Sequence, residues 1–586
     1  MPEAAAGTLA GHAATIDGIA RAARACADAG RLETASALVQ SAAGIAALRH
    51  PGRFAHPVLD DVLARASASL PDVPWIGGRG VLHVLSNALE VGGHTRLAWR
   101  WMELDGDRPQ SFVVTRPVPG PTPPSLAAAA ARSGGREWRV PGAQAGLLAT
   151  ASALRELAAS FDLVVLHAQP NDPLPSLAFA AVTDRAPVLL CNHADHCFWL
   201  GRDVADVVVG HREVAATLAR TRRGVPAGRT ATLPLPLDDV PATDPDARTA
   251  ARARLGIPAA ARVLLTVGSA YKFEAPAGGH LLDVLLPVLA ADPAAVLLAV
   301  GPAPEGRWAA AAAQTAGRVL ATGVLPDVAD LLAAADVYVE SYPCSSGTAA
   351  LEAAQTGLPV VAWAPDAAQA ALLGSAGAAA GLWPSARTAA ELARLLAAPA
   401  PARDAVLAHH APARWRATLA DAVTAAREAG PVRAAQLADP PVADAPEDRL
   451  LLDLHVGTGH CHAPEVVARW AAQAAALAAV PAVERCFVPG LLGPTTHLEL
   501  ARCFTDAVVA PGPGEEATAV DRLRAILRGG LAQRGVVALP PDRVETAFPA
   551  LEAALAAGEE VDLDVVPTAD PGSLLHAGAL AVPATA

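Results

Sequence analysis

The chain has 586 residues, 52% of them apolar and only 4% aromatic, and a formal charge of 45 − 58 = −13. That length predicts roughly three or four domains at ~100–200 residues each, and the apolar content excludes a disordered chain. The acidic balance, with no block of basic residues, excludes a nucleic-acid surface. The seven cysteines are odd in number and scattered, which is no disulfide framework and fits a reducing cytosol. Met1-Pro2-Glu3 opens no basic-then-apolar leader, and no apolar run reaches the ~18 residues of a membrane span, so the sequence predicts a cytoplasmic protein.

Residues 1–75 read as helices only. Ile16, Ile19, Ala20 and Ala23 recur at helical spacing, Gly30 punctuates one pair of helices, and Pro51-Gly52 marks another break. A tetratricopeptide-like hairpin is conceivable, but no repeat of fixed period supports an array; a helical extension packed on the next domain is expected.

From residue 79 the pattern alternates. Val81–Leu85, Ser111–Val114, Leu163–Leu166, Val188–Leu190 and Val207–Val209 are short, nearly continuous apolar runs, as in strands buried on both faces of a parallel sheet. A Pro-rich bridge, Leu233-Pro234-Leu235-Pro236-Leu237, precedes a second set at Val263–Val267, Val296–Val300, Arg318–Ala321, Asp336–Val339 and Val360–Trp363. Two such units imply two facing Rossmann-like domains, over 79–235 and 236–430, with a cleft between them. The helical stretch 385–430 is placed to pack back across both. After a Pro-Ala-Asp linker, 448–586 alternates again (Leu450–His455, Ala507–Ala510, Val536–Ala538, Val561–Val566) and predicts an additional α/β domain.

The sole lysine, Lys272, lies in Gly268-Ser269-Ala270-Tyr271-Lys272-Phe273, after a strand; the other 45 − 1 = 44 basic residues are arginine. A compact ammonium sits against a diphosphate as a point charge in a way a guanidinium fork does not. The segment Glu340 to Val361 reads as strand, loop, helix, glycine stop, strand. Ser345, Ser346 and Thr348 surround Gly347 where the helix begins, an anion site by its free N–H groups and dipole. An ordinary N-cap is the plainer reading. Glu352 falls in the first turns, within reach of a ribose.

These motifs resemble the GT-B nucleotide-sugar glycosyltransferases over residues 79–425, with Gly357-Leu358-Pro359-Val360-Val361 as the closing strand of the donor signature. Tyr271-Lys272 with Ser346-Gly347-Thr348 is most similar to the O-linked N-acetylglucosamine transferase group and its bacterial relatives. The resemblance implies that Lys272 and Ser269 of its loop hold the donor diphosphate, that Ser346, Gly347 and Thr348 cap it, and that Glu352 meets the ribose. It also implies a Gly-rich loop facing the donor from the first domain, here Gly92-Gly93 before His94. The large retaining GT-B family pairs two glutamates across this loop, and its spacing counted back from Glu352 reaches Cys344. The missing carboxylate favours inverting chemistry and leaves a non-catalytic scaffold as a rival; a nucleotide-sugar 2-epimerase of the same fold is another.

Cys191-Asn192-His193-Ala194-Asp195-His196-Cys197-Phe198-Trp199 follows a strand of the first domain. His94, His193, Asp195 and His196 are the candidate catalytic residues beside Lys272, since a histidine with a carboxylate neighbour suits a general base. Phe198-Trp199 suits a sugar face. Cys191, His193, His196 and Cys197 are also metal-ligand types, but match no standard zinc spacing. His167 is placed to join the same cleft. Two further clusters, Asp244-Pro245-Asp246 and Asp453 to His462, read as a connector and a turn with surface histidines. The expectation is a metal-independent transferase with no cofactor beyond its nucleotide-sugar donor, UDP-linked by preference; the acceptor, whether protein, glycan or small molecule, is left open by the sequence.

Overall fold

The computed structural model describes residues 2–89, 93–117, 121–141, 146–238, 240–273, 280–374, 376–442, 445, 447–451, 485–486, 506–509, 513–514, 516–528, 534–557, 563–567 and 579–582. Its first sheet contains β1 (Val81–Leu85), β2 (Gln110–Val114), β3 (Glu137–Trp138), β4 (Leu163–His167), β5 (Val188–Asn192), β6 (Val207–Gly210) and β7 (Thr230–Thr232). The order is β3-β2-β1-β4-β5-β6-β7, every pair parallel. The apolar runs become strands because both faces are covered: β1, β4 and β5 are buried at every residue.

The second sheet contains β8 (Arg262–Val267), β9 (Ala295–Val300), β10 (Val319–Ala321), β11 (Val337–Val339), β12 (Val360–Trp363) and β13 (Ser385–Ala386), again all parallel, ordered β10-β9-β8-β11-β12-β13. In both sheets the order reverses beside the first strand, between β1 and β4 and between β8 and β11. Crevices beyond the carboxyl ends of strands at such switch points are where doubly wound sheets bind ligands. The GT-B expectation of two Rossmann-like units is the fold observed.

The first unit's helical cover includes Pro412–Ala429, which comes after the second sheet in sequence. Its Trp415, Leu419, Ala422 and Val423 join the core formed by Val81, Leu163, Leu189 and Val207. Trp415 meets Trp101 edge-on at 5.3 Å. The chain therefore crosses between the units twice.

Three helices precede the sheets, Pro2–Asp28, Leu32–Leu48 and Pro57–Ala68. The middle one is buried from Thr34 to Ala46, as a small, apolar helix must be when surrounded on all sides. Glu33 accepts from Leu147 and Leu148 N–H at 2.5 and 3.0 Å, placing a carboxylate at the positive end of helix Leu147–Ala158. Arg155 answers from that helix by donating to Ser67 and Ala178 carbonyls at 2.7 and 2.8 Å. The same core continues into the third sheet through Val520, Leu523, Val537 and Leu539. That sheet, β14 (Arg485–Cys486), β15 (Asp506–Val509), β16 (Arg534–Leu539), β17 (Leu563–Pro567) and β18 (Ala579–Val582), is parallel except where β14 runs against β18.

Five strands escaped the sequence reading: β3, β7 and β13 are two or three residues long and partly exposed, so no apolar run marks them, and β14 and β18 are only two and four residues long. The expected strand at Leu450–His455 is corrected at its start, because residues 447–451 are helical; the rest lies outside the described residues. So does the cluster Asp453 to His462. Asp244 is the N-cap of helix Pro245–Leu255, its Oδ1 accepting from Ala247 N–H at 2.6 Å. Among the described residues no helix is long and apolar enough to cross a membrane.

Candidate active site

A cavity of about 360 Å³ lies between the two switch points, with Gly93, His94, Asn192, His193 and His196 on one side and Lys272, Ser345, Ser346, Gly347 and Thr348 on the other. The loop after β8 turns through Ala270–Phe273, where Lys272 N–H bonds to the Ser269 carbonyl at 2.9 Å. Lys272 is thereby lifted over the end of β11, and its Nζ donates to the Ser345 carbonyl at 2.8 Å. An ammonium has three hydrogens, so two remain for a ligand. Burial lowers the Lys272 pKa, with Cys344 and Glu340 pulling the other way. Ser269 itself is exposed and does not line the cavity.

Helix Thr348–Gln355 begins at Gly347, whose φ of 61° and ψ of −100° are strained for any L side chain. Gly347 and Thr348 thereby put the start of the helix on the cavity wall. The expected role of the Ser346 hydroxyl is corrected: it is held by Tyr338 Oη at 2.8 Å and the Glu340 carboxylate at 3.3 Å. Thr348 lines the cavity on the same side as Lys272.

On the first unit, helix Gly93–Leu104 starts at the cavity. His94 Nε2 donates to the His167 carbonyl at 2.8 Å, so Nδ1 is left as the basic nitrogen. His193 sits with its ring 4.3 Å from that of His94, its Nδ1 3.4 Å from the Cys191 carbonyl. Burial foremost drives the His94 pKa down to about 4 and that of His193 well below 6.5, so both are neutral imidazoles. His167 is fully buried behind them, its Nε2 2.9 Å from His83 Nδ1. His83 Nε2 in turn meets Gln110 Oε1 at 2.8 Å. It supports the site rather than lining it.

Asp195 and His196 need correction as proton acceptors. Asp195 accepts from both Arg212 Nε and Nη2, at 3.0 and 2.7 Å. Burial alone would raise its pKa, but Arg212 foremost and then His196 hold it below the usual carboxylate range. Burial pulls His196 down, yet Cys197 and Asp195 more than reverse that and hold it up to about 10. His196 therefore enters the cavity as a cation. Arg212 also reaches across the cleft to the carbonyls of Leu372 and Gly374, at 2.8 and 2.6 Å.

Glu352 is corrected too. It lies away from the cavity and clamps the first unit: Arg96 Nη1 bonds both its oxygens at 2.8 and 3.0 Å, and Arg100 Nη2 one of them at 2.6 Å. Arg100 also holds Asp238. Phe198 and Trp199 are 0% and 4% exposed, core residues rather than a sugar platform, with Arg223 over the Trp199 ring at 4.5 Å. Gly92 lies outside the described residues. Cys191 Sγ meets His211 Nε2 at 3.2 Å, and among the described residues no three His, Cys, Asp or Glu side chains gather to hold a metal ion. Sequence reasoning missed Arg212, Arg96 and Arg100, whose partners are remote in the chain.

Residues 261–398, within the second α/β unit, match the model of the family described as Glycosyl transferases group 1. No curated protein matches the chain. Among solved structures the chain is similar to Anabaena HepE in complex with UDP and glucose, at 16% identity and a TM-score of 0.45, over 59% of this chain and 100% of that one. It is also similar to a glycosyltransferase from Rickettsia africae, at 12% identity and a TM-score of 0.43, over 60% and 99%. A mutant of the Thermobaculum terrenum O-GlcNAc transferase shares 19% identity at a TM-score of 0.41, over 68% and 78%.

Proposed function

We propose, from the match of residues 261–398 to the group 1 glycosyl transferase model, that the protein transfers a sugar from a nucleotide diphosphate donor to an acceptor hydroxyl in the interdomain cavity. One observation carries this reading: a lysine and a helix N-terminus face two neutral histidines across the same cavity. Lys272 and the first turn of Thr348–Gln355 receive the diphosphate, and the charge that develops on it as the glycosidic bond breaks is stabilised there without a metal ion. The acceptor oxygen attacks the anomeric carbon while its proton passes to His94 Nδ1 or to His193.

The only carboxylate lining the cavity among the described residues is Asp195, and Arg212 holds it. Among the described residues a double displacement through a carboxylate nucleophile has no free carboxylate to run on, which supports single displacement with inversion. Calorimetric titration with UDP and GDP in the presence of EDTA tests the donor site. Stoichiometric binding of one nucleotide, followed by anomeric analysis of product from the matching sugar nucleotide, is the expected result. Binding of neither nucleotide, or a requirement for magnesium, overturns the reading.

A further inference from the structure

Glu340, the residue after β11, is 3% exposed and absent from that cavity's wall, yet both serines before Gly347 bond to it. Its Oε1 accepts from Ser345 Oγ at 2.7 Å and from Ser346 Oγ at 3.3 Å. A serine hydroxyl has one hydrogen, so with that hydrogen on Glu340 the Ser345 oxygen has only lone pairs to offer. It takes the Gly347 N–H at 2.8 Å. The backbone of Ser345 is fixed as well, its N–H on the Leu373 carbonyl at 2.8 Å and its carbonyl under Lys272 Nζ at 2.8 Å. Ser346 is held from its other side by Tyr338, whose single hydroxyl hydrogen goes to Ser346 Oγ at 2.8 Å when Ser346 donates to Glu340; the Tyr338 oxygen also lies 3.0 Å from the Val267 carbonyl.

A buried carboxylate beneath a site for a dianion opposes ligand charge, so an anion pocket built only for affinity would avoid it. We propose that Glu340 is a positioning residue for donor binding: it locks Ser345 so that the Ser345 carbonyl places the Lys272 ammonium at the diphosphate. This rests on the donor-site reading of the cavity. Glu340 also acts on Lys272 through space, together with Cys344 from the same loop; Cys344 is itself faced by Arg212 and Cys197 of the first unit. Burial opposes the ammonium, and both neighbours favour it.

Because Lys272 is the sole lysine, lysine labelled with ¹⁵N at Nζ gives a single side-chain signal whose titration needs no nucleotide. E340Q preserves size and an acceptor oxygen while removing the charge. It should shift the Lys272 titration downward by about one pH unit, the size expected for losing a nearby opposite charge. E340A removes the lock as well, and UDP affinity at neutral pH should then fall about tenfold or more, with S345A matching it. The double variant should be no worse than either single, the mark of residues acting as one unit. An unshifted Lys272 titration in E340Q overturns the proposal, as do additive losses in the double variant. If wild-type protein binds neither UDP nor GDP the donor reading fails, while the lysine titration still decides whether Glu340 controls Lys272.

Discussion

Lys272→Met removes the ammonium and keeps most of the stem's packing. In a donor complex Nζ would lie about 4 Å from a phosphate charge, and at an effective dielectric of about 20 that pair is worth about 4 kcal/mol. The desolvation of the ammonium is already incurred in the empty protein, where burial lowers its pKa, so little is subtracted for bringing it out of water. Retained donors at Thr348 and the helix end soften the loss, and the expected fall in UDP affinity is about 10²- to 10³-fold, or roughly 3–4 kcal/mol. The Ser345 carbonyl also loses its partner, which costs folding about 1 kcal/mol. Calorimetry with UDP at pH 7.5 reads the first effect, and urea unfolding the second. A loss below about threefold in a folded variant would refute the assignment of Lys272 to the diphosphate.

Two further outcomes follow from the electrostatics. His83 is fully buried and its pKa is pushed down to about 4, by burial first, against an ordinary 6.5. Between those values the unfolded chain binds a proton that the folded chain refuses, so stability is full above pH 6.5 and declines as pH falls toward 4, by up to about 1.4 kcal/mol per unit. Urea midpoints at pH 7.5 and 5 should differ accordingly and His83→Gln should reduce the difference without abolishing it, since His94 and His193 are lowered by burial as well; an unreduced difference in the variant would rule His83 out. Glu352→Gln withdraws the charge that Arg96 and Arg100 share, and with Asp238 still beside Arg100 the loss should be near 2 kcal/mol, below the range for a fully orphaned buried charge. Hydrogen exchange in helix Thr348–Gln355 should quicken by roughly 30-fold, and unchanged protection would show that the clamp does not hold the cleft shut.

The two sheets were legible because their strands are buried on both faces, which writes Val81–Leu85 or Leu163–His167 as unbroken apolar runs. Lys272 and the loop around Gly347 were legible because strand, loop and helix follow one another locally. The partners of Glu352 and Asp195 were not: Arg96 lies in another domain, and Arg212 stands after the next strand. Nothing in a string of letters says that one carboxylate will point into a cavity and another into an arginine. His193 and His196 show the same limit most sharply. Three positions apart, one is kept neutral by apolar burial and the other charged by Asp195 and Cys197, and only the packed neighbourhood separates them.

The double crossing between the units fixes how the cleft can move. The outgoing segment passes Leu235 and the returning one passes His410, whose Nδ1 donates to the Leu235 carbonyl at 2.8 Å. Two connectors pinned at one point act as a single pivot, and Leu235 is part of the cavity floor. Opening is then a rotation in which the floor barely travels while the rim swings widest. Arg212 on Leu372 and Gly374, and Arg96 on Glu352, are the catches such a rotation must release. The lever arm turns a small angle at the pivot into a wide gap at the rim, the passage that the proposed donor would need to enter and its spent diphosphate to leave.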